Sequence, residues 1–237
     1  MVHLVRLDKL LAGAGFGSRS DIKKLVRKGG VLIDGRAAVS ADEKVDPNAS
    51  QIAVNGQAFV YKEHLYLMLN KPAGVLSASN DKRAKTVVDL VPPALFRPGL
   101  FPAGRLDRDT EGFVLLTDDG QLAHKILSPK SHIPKIYYAQ LDGPIDPAAV
   151  AAFAQGIALD DGTVCMPAEL TVLGANAAQV VLHEGKYHQV KRMFAAVGRT
   201  VLYLKRTQMG RVPLDENLAL GECRELTRQE IIALCEC

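Results

Sequence analysis

Nine residues set three carboxylates and two guanidinium groups between a pair of glycines: Gly104-Arg105-Leu106-Asp107-Arg108-Asp109-Thr110-Glu111-Gly112. The wholly apolar run Phe113-Val114-Leu115-Leu116 follows at once. The apolar run reads as a buried strand, so the charged segment is a loop with rigid support. Neighbouring positive charge keeps an aspartate ionised. Asp107, flanked by arginines, is therefore a candidate nucleophile or electrostatic anchor. The same nine residues also suit a solvated turn with surface ion pairs, and the rest of the chain has to decide.

From residue 64 onward the pattern predicts strands at 64–69, 113–117, 136–141, 180–183 and 201–204. Helices are predicted at 121–127, 147–155 and 188–196, with Thr227 as N-cap of a last one. Regular strand–helix–strand alternation is missing, so the class is α+β. The 237 residues can hold one large domain, or one of ordinary size plus a small one. No apolar run approaches a membrane span, and the first residues lack the apolar core of a secretory signal. Cys165, Cys223, Cys235 and Cys237 follow neither a disulfide framework nor a zinc-ligand spacing, which points to a reducing cytoplasm. Cys235 and Cys237 read as thiols of a frayed tail.

The net charge of +3 is concentrated at one end. Residues 1–60 carry nine Lys/Arg against six Asp/Glu, and residues 61–237 carry twenty of each. Such asymmetry suggests a basic module with a polyanionic partner. Leu7, Leu10, Leu11 and Ala14 give a short amphipathic helix. Ser18 with Asp21 forms a capping box for a second helix, which Gly29-Gly30 ends. Ile22, Leu25 and Val26 face inward, leaving Arg19, Lys23, Lys24, Arg27 and Lys28 as a stripe able to track phosphates. Residues 31–36 give a strand and an Asp-Gly hairpin turn. Residues 55–63 are expected to be a linker.

This front module, with Arg6-Leu7-Asp8-Lys9 and Ser18-Arg19, resembles the S4 RNA-binding domain over residues 5–52. It implies recognition of structured RNA through shape and backbone. Behind it lie Lys71-Pro72-Ala73-Gly74, the Asp107 loop, Lys135-Ile136-Tyr137, and a segment from Glu184 through Gln189-Val190-Lys191-Arg192-Met193. In that order they resemble the pseudouridine synthases, and the domain order resembles the RsuA-type subfamily that modifies ribosomal RNA. The resemblance implies an S4-like domain at 1–60 and a catalytic domain at 61–237 on a mixed, largely antiparallel sheet with flanking helices. It implies a cytoplasmic monomer that acts on ribosomal RNA or a ribosomal assembly intermediate, with no membrane, cofactor or metal. Uridine would be isomerised in place: the N1–C1′ bond breaks, the uracil turns, and C5 joins C1′.

By this resemblance Asp107 is the essential carboxylate, attacking C1′ or assisting C2′ deprotonation. Tyr137 stacks on the target base, and Lys191 pairs with Asp107. Arg105 steadies the RNA backbone or fills the space of the flipped nucleotide. Leu204 and Lys71 line the pocket and hold its loop, while Arg19, Lys23 and Arg27 bind RNA from the front. Relatives often carry threonine where Ile136 stands and arginine where Lys191 stands. Residues 118–121, 187–198 and 220–227 look most like the 16S enzyme, with 23S enzymes as the alternative. Three other readings compete. A glycosidase would pair Asp107 with Asp109 or Glu111. A metal nuclease would use Asp107, Asp109, Asp118 and Asp119. A non-catalytic RNA-binding protein would need only the front. His183 and His188 invite a zinc reading, but solvated or hydrogen-bonded histidines suit their positions better.

Overall fold

The computed structural model describes residues 4–236. The chain divides into two compact units, one ending at Leu65 and also containing Phe96–Gly99, the other formed by Tyr66–Leu95 and the chain from Leu100 onward. The first three residues and Cys237 lie outside the described residues, so the readings of the N-terminus and the Cys235/Cys237 tail fall partly there. No helix among the described residues is long and apolar enough to cross a membrane.

The first unit contains β1 (Val5–Arg6), α1 (Leu7–Gly13), α2 (Arg19–Arg27), β2 (Val31–Ile33), β3 (Arg36–Ala37), β4 (Lys44–Val45), β5 (Ile52–Val54) and β6 (Gln57–Phe59). Strands pair antiparallel in the order β3-β2-β5-β6, and β1 pairs with β4. Leu7, Leu11, Ile22, Val31 and Ile33 form the core. The Ser18 hydroxyl and the Asp21 carboxylate cap α2 reciprocally, satisfying amides that the first turn leaves without helical partners. Arg6 grips the buried Asp8 through two bonds of 3.0 and 2.8 Å. Residues 55–63 are not simply a linker. Asn55 and Gly56 take φ of 51° and 80°, a turn whose twist matches paired strands, and it joins β5 to β6. Arg97 donates to the carbonyls of Gly13, Lys62 and Glu63, tying its segment to this unit.

The second unit follows with β7 (Tyr66–Lys71), β8 (Phe101–Ala103), β9 (Glu111–Thr117), α3 (Gly120–Leu127), β10 (Lys135–Leu141), α4 (Pro147–Gln155), β11 (Glu169–Gly174), β12 (Ala177–Leu182), α5 (Gln189–Ala196), β13 (Val201–Met209), β14 (Val212–Pro213), β15 (Cys223–Glu225) and α6 (Arg228–Ala233). One mixed sheet runs β11-β12-β10-β13-β9-β7-β15, with β8 added to β9 and β14 to β13. Its pairs are antiparallel except β13 with β9, where Lys205 stands opposite Glu111 and Arg206 opposite Gly112. Phe113, Val114, Leu115 and Leu116 are all fully buried, as an unbroken apolar run in a central strand should be. Gly112 has φ of 101°, and a Cβ there would sit 2.2 Å from the Arg206 carbonyl oxygen. The strands meet closely because that side chain is missing. The Asp107 loop therefore opens at the parallel seam of the sheet.

Candidate active site

The Asp107 loop is braced by residues 71–77, which leave the end of β7. Lys71 Nζ donates to the carbonyls of Pro72 (3.0 Å), Arg108 (3.2 Å) and Thr110 (2.8 Å). Gly74 N donates to Arg108 O at 2.7 Å, and Arg108 Nε returns a bond to Gly74 O at 3.1 Å. Ser77 Oγ donates to Leu106 O (2.9 Å) and accepts from Leu106 N (3.0 Å), holding the residue just before Asp107 by both backbone groups. Lys71, expected among the substrate-binding residues, is fully buried. Its ammonium is turned to loop carbonyls, and burial pushes it down to about 8. It holds the loop and has no surface to offer a substrate.

Opposite the loop stands the start of α5. The buried Glu184 carboxylate accepts from Met166 N and Gln189 Nε2, both at 2.8 Å. Gln189 Oε1 accepts from Lys186 N at 2.8 Å. This latch fixes the turn that sends Lys191 and His188 toward the loop. Lys191 Nζ lies 3.3 Å from Asp107 Oδ2 and 2.6 Å from Asp109 Oδ1. The expected partner of Asp107 is thus in place, but it is shared, and Asp109 takes the shorter bond. That bond holds the Asp109 carboxyl below the usual carboxylate range. His188 Nε2 lies 3.6 Å from Asp107 Oδ1, so Asp107 faces two nitrogen groups.

Sheet register builds the wall. Tyr137 on β10 pairs with Val180 on β12 and Arg206 on β13, while Ala139 pairs with Leu204 and Lys135 with Leu182. Paired residues and residues two apart share a face, so Tyr137, Leu182 and Leu204 line one surface. With Arg105, Leu106, Asp107, Thr110, Lys186 and His188 they enclose a cleft of about 70 Å³. Tyr137 and Leu204 are buried in it, whereas Arg105 is exposed and makes no ion pair among the described residues. Arg206, buried behind Tyr137, donates to Phe113 O at 2.7 Å and to the Tyr137 hydroxyl at 3.5 Å. Among the described residues, its second terminal nitrogen and the Thr110 hydroxyl have no hydrogen-bond partner.

Of the competing carboxylates, Asp109 shares Lys191 with Asp107, while Glu111 and Asp119 are engaged elsewhere. Glu111 accepts from the Tyr203 hydroxyl at 2.8 Å. Asp119 accepts from Tyr66 at 2.8 Å and caps α3. His183 Nδ1 bonds His132 O at 2.7 Å, and no cluster of three metal-ligating side chains occurs among the described residues. Arg19, Lys23 and Arg27 lie exposed on α2 of the first unit.

Comparison with known proteins matches residues 65–196 to the RNA pseudouridylate synthase family and residues 5–50 to the S4 domain. The chain belongs to the RNA pseudouridine synthase family. Its relatives include an uncharacterized RNA pseudouridine synthase of Bacillus subtilis, YtzG, 50% identical over 98% of this chain and 99% of that one. The ribosomal small subunit pseudouridine synthase A of Salmonella typhimurium is 40% identical over 97% and 100% of the two chains. A crystal structure of a pseudouridylate synthase, 40% identical, covers 97% of this chain and 99% of its own at a TM-score of 0.68. Three residues of this pseudouridine synthase site escaped the sequence reading. Ser77 carries no local signal. His188 reads in the sequence as an ordinary histidine, and Arg206 likewise has no local signal.

Proposed function

We propose that this chain converts uridine to pseudouridine in ribosomal RNA, that its substrate is the RNA of the small subunit, and that Asp107 is the reacting carboxylate. The observation that carries the reading is the pairing of Asp107 with Lys191 in a cleft walled by Tyr137 and Leu204. Both routes open to Asp107, attack on C1′ and assistance in C2′ deprotonation, use its carboxylate, which stands 3.3 Å from the Lys191 ammonium. Tyr137 offers a ring on which the uracil stacks and turns after the N1–C1′ bond breaks. C5 then bonds C1′ and gives up its proton, N1 gains one, and the product is an isomer with no cofactor consumed. Leu204 closes the apolar wall, and Arg105 is free to meet a backbone phosphate near the flipped nucleotide.

Small-subunit RNA is favoured by near full-length likeness to the small subunit enzyme of Salmonella typhimurium. We assign anchoring to residues 1–60, where Arg19, Lys23 and Arg27 of α2 meet phosphates, and chemistry to residues 61–237. A monomer in the cytoplasm, acting on rRNA or an assembly intermediate, suits this division. The test maps pseudouridine in 16S and 23S rRNA by chemical labelling and reverse transcription, with and without the protein. A protein-dependent site in 16S rRNA is expected. Asp107→Asn should bind RNA as before and form no pseudouridine. A variant that still modifies RNA would remove Asp107 from the chemistry.

A further inference from the structure

Beside the cleft, Tyr187 leaves 76% of its surface in solvent. Its ring lies flat on the His188 imidazole, with centroids 3.8 Å apart and planes 20° from parallel. His188 adopts φ of 47°, a left-handed conformation that costs any residue but glycine. The latch of Glu184, Gln189 and Lys186 holds that turn. One edge of the imidazole then faces Asp107 at 3.6 Å while its ring supports the tyrosine. A single exposed tyrosine is ordinary. This one is fixed by stacking on a cleft-lining residue, so little freedom remains to be lost when something binds it.

Resting on the reading of the site as a uridine isomerase, we infer that Tyr187 and His188 form a platform on which an RNA base next to the target uridine stacks. Turning a nucleotide out of a helix leaves its neighbours without a stacking partner. An aromatic face offered at the cleft mouth replaces that partner whatever the base, because every base has a flat face. The target base itself is placed against Tyr137, on the inner wall, and Tyr187 is outside the cleft lining. Arg105, exposed where it lines the same cleft, supplies a cation for a neighbouring phosphate. The occupant is therefore a flanking nucleobase.

The experiment uses the full chain and 16S rRNA under single-turnover conditions, comparing wild type with Tyr187→Ala and Tyr187→Phe. Tyr187→Ala should raise the half-saturating protein concentration by about tenfold, the scale of one lost base–aromatic stack, and Tyr187→Phe should restore it. Substrates carrying an abasic nucleotide on one side or the other of the mapped uridine complete the cycle. One of the two should weaken wild type by a similar factor and leave Tyr187→Ala unaffected. If the alanine variant saturates like wild type, or pays the full abasic penalty as well, the platform is refuted while the isomerase reading stands. A wild-type protein that forms no pseudouridine in any rRNA would end both.

Discussion

At the scale of single residues, the site turns on one ammonium shared by two carboxylates. Lys191 bridges Asp107 and Asp109 with one positive charge, so its loss leaves two like charges in one loop with no ammonium between them. Lys191→Met should therefore lower the single-turnover rate about 10²- to 10³-fold, the scale of a lost charge-stabilising donor. RNA affinity should stay within a few-fold, because the ammonium is already engaged by carboxylates. Filter binding alongside quenched kinetics separates the two. An affinity loss as large as the rate loss would mean that Lys191 chiefly binds phosphate. A lysine acts here as a point charge, which suits two acceptors at different distances better than the planar fork of an arginine would.

At the scale of elements, the Asp107 loop is held by its neighbour more than by its own turn. Ser77 occupies both backbone groups of Leu106, and its replacement leaves a buried donor and a buried acceptor short of partners. Ser77→Ala should lower kcat about tenfold with KM little changed, and Ser77→Thr should recover most of it. An unchanged kcat would show that the loop keeps its place without the hydroxyl. Such bracing has no sequence signal, since it joins segments remote in the chain. Elements that depend on local chemistry were legible: Ser18 and Asp21 announced the start of α2, Pro147 that of α4, and Thr227 that of α6. Asn55-Gly56 carried an equally local signal, but the polar residues around it disguised the hairpin. Strand β13 runs on to Met209, past the expected end at residue 204, because Arg206 buries its charge against the Phe113 carbonyl. Strands β8 and β11 lacked a long apolar run, and nothing local could show that β13 lies parallel to β9. The position of Asp107 was readable in the sequence. The sharing of Lys191 and the inward turn of Lys71 were properties of the packed chain.

At the scale of the molecule, the second unit keeps three cations in its interior: Lys71, Lys135 and Arg206 are all almost fully buried. Burial pushes the Lys71 and Lys135 ammonium groups down to about 8, against an ordinary value of 10.5. Between these two values the unfolded chain binds more protons than the folded one, so each lysine makes stability rise with pH. For one such lysine the gain from pH 8 to pH 9 is about 1 kcal/mol. Buried Cys165 and half-buried Cys223, whose thiols are pushed up by desolvation, work in the opposite direction. Comparing wild type with Lys135→Met isolates the lysine: their stability difference, from urea unfolding, should shift in favour of wild type by about that amount between pH 8 and pH 9. A constant difference would mean that Lys135 titrates alike in both states.

The parallel seam between β9 and β13 also has a consequence in time. Asp107 is made well before Lys191 and the strand carrying Leu204 and Arg206. At ordinary synthesis rates the interval is on the order of ten seconds. During it the loop has neither its counter-ion nor its wall. The cleft around Asp107 is therefore completed only once Lys191 and Leu204 have both been made.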